Sequence, residues 1–416
     1  MSLAFISDGN ASDSEDEKPN ISDPNLKVEL VFRGLDFPTT MAFLGPDDML
    51  VLEKNNGTVE RITNGNKSAE AILDVDVSYS DERGMLGIAI AENETSNSVT
   101  YVFLYYTKSE TNGDENSTHN LSNHLYRYEL INDSKLQNPK LLMSTPSTEK
   151  SFHMGGKLAI GPDHNIYATI GDQTRYNITQ AQNIKKGAFP DTTSSIIRIT
   201  LDGQVPSDDI LGKNHPLNLY YAYGIRNSFG IDFDPVTGKL WDTENGPSYG
   251  DEINLVGPGF NGGWSRVQGI WRPTENLTIG NMELNPDSLV DFDGKGKYSP
   301  PEFIWKEPAC VTAIKFLSSD KYGKEYKDDV FVGTSTGNLY HFDMNKDRTG
   351  FILYNNLTDK IADSPEELAQ IRFGDKFVGI TDLQVGPHDG LLYIVTTDGA
   401  IYKIVPKDIK VTEDKN

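Results

Sequence analysis

The sequence predicts an all-β fold, a six-bladed β-propeller with four-stranded antiparallel blades. Three observations carry this. A strand-turn-strand pattern returns six times, its apolar residues alternate with the period of two that strands require, and Gly-Pro or Asp-Gly pairs punctuate it. The clearest copies are MAFLGPDDMLVLEKNNGTVERI from Met41, LAIGPDHNIYATIGD from Leu158, IDFDPVTGKLWDTENG from Ile231 and LQVGPHDGLLYIVTTDGAIYKI from Leu383. Looser copies start at Leu86 and Ile314. A single such sheet cannot bury both of its faces, so successive copies stack radially and close a ring. Almost no window has helical periodicity.

Outside the repeats, residues 1–26 are rich in Ser, Asp, Glu and Asn and predict a disordered acidic tail. Residues 27–406 form the propeller, and 407–416 a C-terminal tail. The long insertions between copies are where such a ring builds a site. A formal net charge of −23 over 416 residues repels phosphate backbones and anionic lipid, which argues against nucleic acid as a partner. No stretch approaches the roughly 18–20 apolar residues of a bilayer span, so no transmembrane segment is expected. The single cysteine, Cys310, excludes an internal disulfide and sits in an apolar run that reads as a core strand. Eleven Asn-x-Ser/Thr sequons, among them Asn20, Asn66, Asn177 and Asn276, point to a glycosylated protein that is extracellular or on the cell surface.

Two insertions carry candidate chemistry. In SFHMGGKLAIGPDHNIYATIGD, His153 precedes a Gly-Gly pair, which leaves it sterically open as a general base should be, and Asp172 follows one strand later, where it could orient the imidazole. A structural histidine beside a turn is the plain alternative. In YAYGIRNSFGIDFDPVTGKLWDTENGPSYGDEINLVGPGFNGGW, Arg226 and Asn227 precede a strand, and the turn Glu244-Asn245-Gly246-Pro247 is followed by Asp251, Glu252 and Asn254. Carbonyls exposed by a Gly-Pro turn beside carboxylates make an oxygen-only set suited to calcium. A charged loop capping a blade is the alternative here.

Taken together, Glu82-Arg83-Gly84-Met85-Leu86-Gly87, His153-Met154-Gly155-Gly156, Gly171-Asp172, Gly224-Ile225-Arg226-Asn227, Glu244-Asn245-Gly246-Pro247, Asp251-Glu252-Ile253-Asn254 and Asn261-Gly262-Gly263-Trp264 resemble, in order, the soluble quinoprotein glucose and aldose sugar dehydrogenases. These enzymes use pyrroloquinoline quinone (PQQ) and calcium. The resemblance implies oxidation of an aldose at its anomeric carbon, with electrons passing to an external acceptor. It implies His153 as general base, Asp172 as its orienter and Arg226 as the cation that stabilises negative charge on the quinone oxygen. Glu82, Arg226, Asn227 and Thr381 would line the cofactor. One calcium would be held by the backbone of Gly246 and Pro247, and a second by Glu252 and the backbone of Gly262.

The chain departs from the family pattern in the last blade. Gly379 and Thr381 stand where relatives carry two arginines, which leaves Arg372, Lys376, Lys306 or Arg83 as the cations that could serve a tricarboxylate. Met154 replaces a polar residue beside the base. Two other readings therefore stay open: a non-catalytic propeller that binds glycans or a surface partner, and a calcium-dependent lactone hydrolase built on the same ring.

Overall fold

The structure is a computed structural model describing residues 18–92, 99–117, 121–131, 135–280 and 288–407. It is an all-β propeller. Its strands pair into six sheets, and the innermost strand of each coincides with one of the six sequence copies: Pro38–Gly45, Met85–Glu92, Leu158–Ile160, Ser228–Phe233, Val311–Phe316 and Ile380–Val385. These inner strands touch one another in cyclic order, the last against the first, so the ring is closed around a bore.

The four inner strands of each sheet run outward in antiparallel order, with parallel pairs only at the outer side of the third and fourth sheets among the described residues, and in the first and last sheets the turn after the inner strand falls on the Gly-Pro pair. Only the second and last sheets have four strands; the others carry one or two more on their outer side. The fourth strand of the last sheet comes from the other end of the chain. Leu26–Arg33 pairs antiparallel with Ala400–Pro406, which fastens the ring.

Apolar side chains fill the space between neighbouring sheets. Leu50 and Val59 of the first sheet meet Ile88, Val102 and Leu104 of the second, and Trp241 and Ile253 of the fourth meet Val330 and Val332 of the fifth. Asp382 of the last sheet accepts from the Thr40 hydroxyl at 2.6 Å and the Met41 N–H at 3.0 Å of the adjoining first sheet, and across the bore it pairs with Lys157 at the head of the third.

The structure corrects three expectations. Ordered chain begins before residue 27: Asn20–Ile21 pairs with Arg372–Asp375 of the fifth sheet because Ile21 buries beside Phe373 and Phe377. Cys310 is half-buried in the irregular segment before Val311–Phe316, with φ 58°, and its N–H donates to Asp251 Oδ2 at 2.7 Å. A short helix, Pro365–Ile371, opens with a capping box between Ser364 and Glu367.

Candidate active site

His153 lies in the segment that leads into the third sheet, at φ 61°, a conformation that a β-carbon disfavours. Hydrogen bonds from its own backbone hold it there. Glu82 Oε2 accepts from the N–H groups of His153 at 2.6 Å and Met154 at 3.3 Å, and also from Asn227 Nδ2 at 3.1 Å. The backbone of the next strand end approaches closely, since a β-carbon on Gly171 would lie 2.2 Å from the His153 carbonyl oxygen. Only glycine permits this approach, which brings Asp172 beneath the imidazole.

There His153 Nδ1 and Asp172 Oδ1 are 2.6 Å apart. Asp172 is fully buried, and its carboxylate also accepts from the Thr174 N–H at 2.7 Å and, through Oδ2, from the Trp264 indole at 2.7 Å. Three donors on a buried carboxylate fix its orientation. Its hold on Nδ1 places the available imidazole lone pair on Nε2. Nε2 takes no hydrogen-bond partner among the described residues. The arrangement supports proton abstraction by a positioned base.

Arg226 stands beside this pair because the Asp172 N–H donates to its carbonyl at 2.8 Å. Its guanidinium donates to the Asn245 carbonyl at 2.7 Å and lies 5.5 Å from the centre of the Trp264 ring. Arg226 Nε and Asn227 Oδ1 are buried without protein partners. The turn from Glu244 to Gly250 is fixed by Asp251, whose Oδ1 accepts the Gly246 N–H at 2.8 Å, and by Asn245 Nδ2, which donates to the Val311 carbonyl at 2.7 Å. Gly246 and Pro247 thus sit on a rigid turn next to Arg226.

Below the turn lies a group of acids that the sequence only partly disclosed. Asp242 and Glu244 share one face of the strand Leu240–Glu244, opposite Asn254 and Glu252 of Asp251–Val256. All four are buried. Neither oxygen of Asp242 meets a donor at hydrogen-bonding geometry, although Asn254 and Ser228 are its polar neighbours; Glu244 Oε2 and Asn254 Oδ1 are also unpartnered. Burial pushes Asp242 up to about 7 and Asp251 up to about 6, and raises Glu244 and Glu252 as well. Glu252 uses its oxygens on Gln268 Nε2 at 2.9 Å, the Gly269 N–H and Asn254 Nδ2 at 3.2 Å. Gly262 lies against Gly224, and its N–H donates to the Tyr223 carbonyl at 2.9 Å. Unpartnered buried carboxylate oxygens require protons or a cation.

The opposite arc of the mouth differs. Thr381 lines it, together with Phe37, Ile380, Ser335 and Thr397. None of the four cations named from the sequence does. Arg83 is buried and donates to the carbonyls of Thr148 and Ser117, Lys306 pairs outward with Asp363 at 3.3 Å, and Arg372 and Lys376 are exposed elsewhere. The two lysines that line the mouth went unremarked in the sequence: Lys157, tied to Asp382, and Lys54, whose ammonium donates to Asn55 Oδ1 and the Tyr79 carbonyl, each at 3.0 Å. Burial lowers Lys54 to about 8, against the opposing pull of Asp81 and Glu82. Met154 has no part in the mouth, because its side chain is buried with its sulfur 3.7 Å from Asn123 Nδ2.

A family model for glucose/sorbosone dehydrogenases matches residues 35–403. Quinoprotein glucose dehydrogenase B of Acinetobacter calcoaceticus is 30% identical over 261 residues, 59% of this chain and 53% of that protein, so the match spans about half of the relative's length. Aldose sugar dehydrogenase YliI of Escherichia coli K12 is 24% identical over 394 residues, 92% of this chain and 94% of that one. The fold is shared with the apo-form of the soluble aldose sugar dehydrogenase from Escherichia coli, at TM-score 0.69 and 23% identity over 92% of this chain and 100% of that one. It is shared too with the PQQ-bound aldose sugar dehydrogenase of Streptomyces coelicolor, at TM-score 0.63 and 21% identity over 94% and 100%. The chain belongs to the glucose/sorbosone dehydrogenase family, whose members are quinoprotein sugar dehydrogenases.

Proposed function

We propose that this protein is a PQQ- and calcium-dependent aldose dehydrogenase that oxidises cyclic sugars at the anomeric carbon to lactones, each of its six sheets serving as one blade. The observation that carries the reading is the His153–Asp172–Trp264 array, with Nε2 left without a hydrogen-bond partner among the described residues. Lactone formation removes a proton from O1 and a hydride from C1. His153 Nε2 takes the proton, and Asp172, anchored by the indole and by Thr174, stabilises the imidazolium that results. Arg226 offers a fixed guanidinium to an oxygen that gains charge.

The residues fit the two groups that the family uses. Arg226 Nε and Asn227 Oδ1 are buried polar atoms awaiting a polar partner, as a quinone cofactor would provide. For calcium, the backbone of Gly246 and Pro247 would supply one set of oxygens; Glu252 with the Gly262 backbone would supply a second, to which the unpartnered oxygens of Asp242, Glu244 and Asn254 add neighbouring donors. Bound PQQ would supply an electrophilic carbonyl for the hydride, polarised by calcium. Glu82 spends its charge on two backbone N–H donors of the base-bearing loop and on Asn227, and so acts at the cofactor's edge as an anchor. Electrons leave to an external acceptor. The sequons at Asn20, Asn66, Asn116 and Asn356 are exposed, which supports a glycosylated protein outside the cell, while Asn56 is half-buried with its Nδ2 donating to Glu53 Oε2 at 2.7 Å.

One observation favours a non-catalytic, glycan-binding propeller instead: the Gly379–Thr381 arc offers no cation to a tricarboxylate. The hydrolase reading has less support, since among the described residues Glu82 is the one carboxylate in the lining of the mouth around Thr381, and it is spent on N–H donors. Titration of calcium-loaded protein with PQQ by calorimetry, followed by dye reduction with a panel of aldoses, tests the proposal. Stoichiometric binding with sugar-dependent turnover is the expected result; no binding leaves the glycan-binding reading.

A further inference from the structure

A cleft of about 750 Å³ opens beside the proposed base, within the size range of small-molecule sites. Its walls include Tyr176, Asn177, Ser265, Arg266, Arg272 and Glu275. Tyr176 belongs to both places: its ring centre is 6.5 Å from that of His153 and 5.8 Å from that of Trp264. Ser265 follows Trp264, and its hydroxyl donates to Asn177 Oδ1 at 2.8 Å, joining the two walls. The far wall is ordered by its own backbone, with the Gly280 N–H on the Arg272 carbonyl at 2.9 Å and the Thr274 N–H on the Thr278 carbonyl at 3.0 Å.

The charge of this cleft runs against that of the chain. With 61 acidic residues against 38 basic ones, an arginine normally finds a carboxylate. Arg33, Arg61, Arg127, Arg175, Arg198 and Arg348 do, and Arg83 and Arg226 are taken up by carbonyls. Among the described residues, only Arg266, Arg272 and Arg372 have no such partner, and two of these three line this cleft. Glu275 on the same wall pairs with neither and leaves the lining net positive. A guanidinium in an open cleft beside an aromatic ring and amide side chains suits an anionic sugar: the fork binds a carboxylate or sulfate, and the amide N–H groups donate to ring oxygens.

We propose that this cleft is a second saccharide subsite, which takes the unit adjoining the reducing end of an acidic oligosaccharide, with Arg266 and Arg272 binding its anionic group. The inference rests on the reading that the reducing-end aldose is oxidised at His153, and it narrows the substrate class to glycans bearing a uronate carboxylate or a sulfate ester.

Calorimetry on the calcium-loaded protein, without PQQ, compares digalacturonate, a sulfated lactose and neutral lactose against wild type and the double variant Arg266→Gln/Arg272→Gln. Because hydrogen bonds to charged groups are the strong ones, one acidic disaccharide should bind about tenfold tighter than the neutral one, and the double variant should erase that gap. Whichever acidic ligand shows the gap names the anion. Equal affinities, or a gap that survives in a variant whose melting is unchanged, overturn the proposal. Turnover separates the two readings: glucose oxidation without the gap leaves the dehydrogenase standing and this subsite refuted. The gap without any PQQ-dependent oxidation leaves an acidic-saccharide site and refutes the dehydrogenase.

Discussion

On the arc built by the third and fourth sheets, His153, Asp172, Trp264, Arg226 and Glu82 form one hydrogen-bonded array above four buried carboxyl groups. Across the bore, the last sheet presents Gly379, Ile380 and Thr381, with an aromatic ring and hydroxyls around them. The poverty of the second arc is partly a matter of backbone. Gly379 has φ 66°, and a β-carbon there would lie 2.9 Å from Thr397 Oγ1 and 3.1 Å from the Ser335 carbonyl oxygen, so no larger residue is accommodated without rearrangement. The two arcs thus differ in chemistry: one gathers the proposed base, its aspartate and an arginine, while Gly379, Ile380 and Thr381 of the other carry no charge.

The most severe way to break the contrast is His153→Ala. Removing a general base should lower sugar-dependent dye reduction by roughly 10²- to 10⁴-fold, measured at saturating PQQ and calcium. A loss below about tenfold would take the base out of the rich arc.

Thr381→Arg sharpens the contrast from the other side, since position 381 lines the mouth without the constraint that glycine 379 carries. One new charge-assisted contact should tighten PQQ binding by about tenfold in calorimetry. Unchanged affinity would mean that the cofactor's carboxylates do not face this arc.

Calcium should separate the arcs by stability. At about a hundredfold over its dissociation constant, a ligand of the native state adds roughly 2.7 kcal/mol. Chelation should therefore lower the melting temperature, and Asp242→Asn should shrink the calcium-dependent part of that shift. A melting curve indifferent to chelator would place protons, not a cation, on the buried carboxyl groups.

The smallest effect concerns Lys54. Its ammonium is depressed to about 8 by burial, so it is charged at pH 7 and loses its charge as the pH rises through 8. An anionic cofactor should bind a few-fold more weakly at pH 9 than at pH 7, and Lys54→Gln should flatten that dependence. An unaltered profile in the variant would exclude Lys54 from cofactor binding.

Much of the ring was legible because its determinants are local. Each repeat copy carries its own alternation and its own turn residues, and each lands on an inner strand. The pairing of His153 with Asp172 was legible for the same reason, the two being one strand apart. What escaped depends on distant contacts. Trp264 reaches Asp172 from a loop 92 residues on, and Lys157 finds Asp382 across 225 residues. Met154 occupies the position of a polar residue next to the base, but its direction is set by the packing of the second sheet. The helix at Pro365 was readable in Ser364-Pro365-Glu366-Glu367, a capping box too short to leave a periodicity.

The bond of Lys157 and Thr40 to Asp382 also bears on how the ring deforms. A closed ring of wedges distorts most easily by ovalising, one diameter lengthening as the other shortens, and a strut across the bore resists that mode. Removing one partner of a buried ion pair typically costs 3–5 kcal/mol. Here the cost would fall on three sheets at once, so amide exchange in the first, third and last sheets should quicken together in Asp382→Asn. The proposed base at His153, four residues before Lys157, would then ride on a floor free to shift.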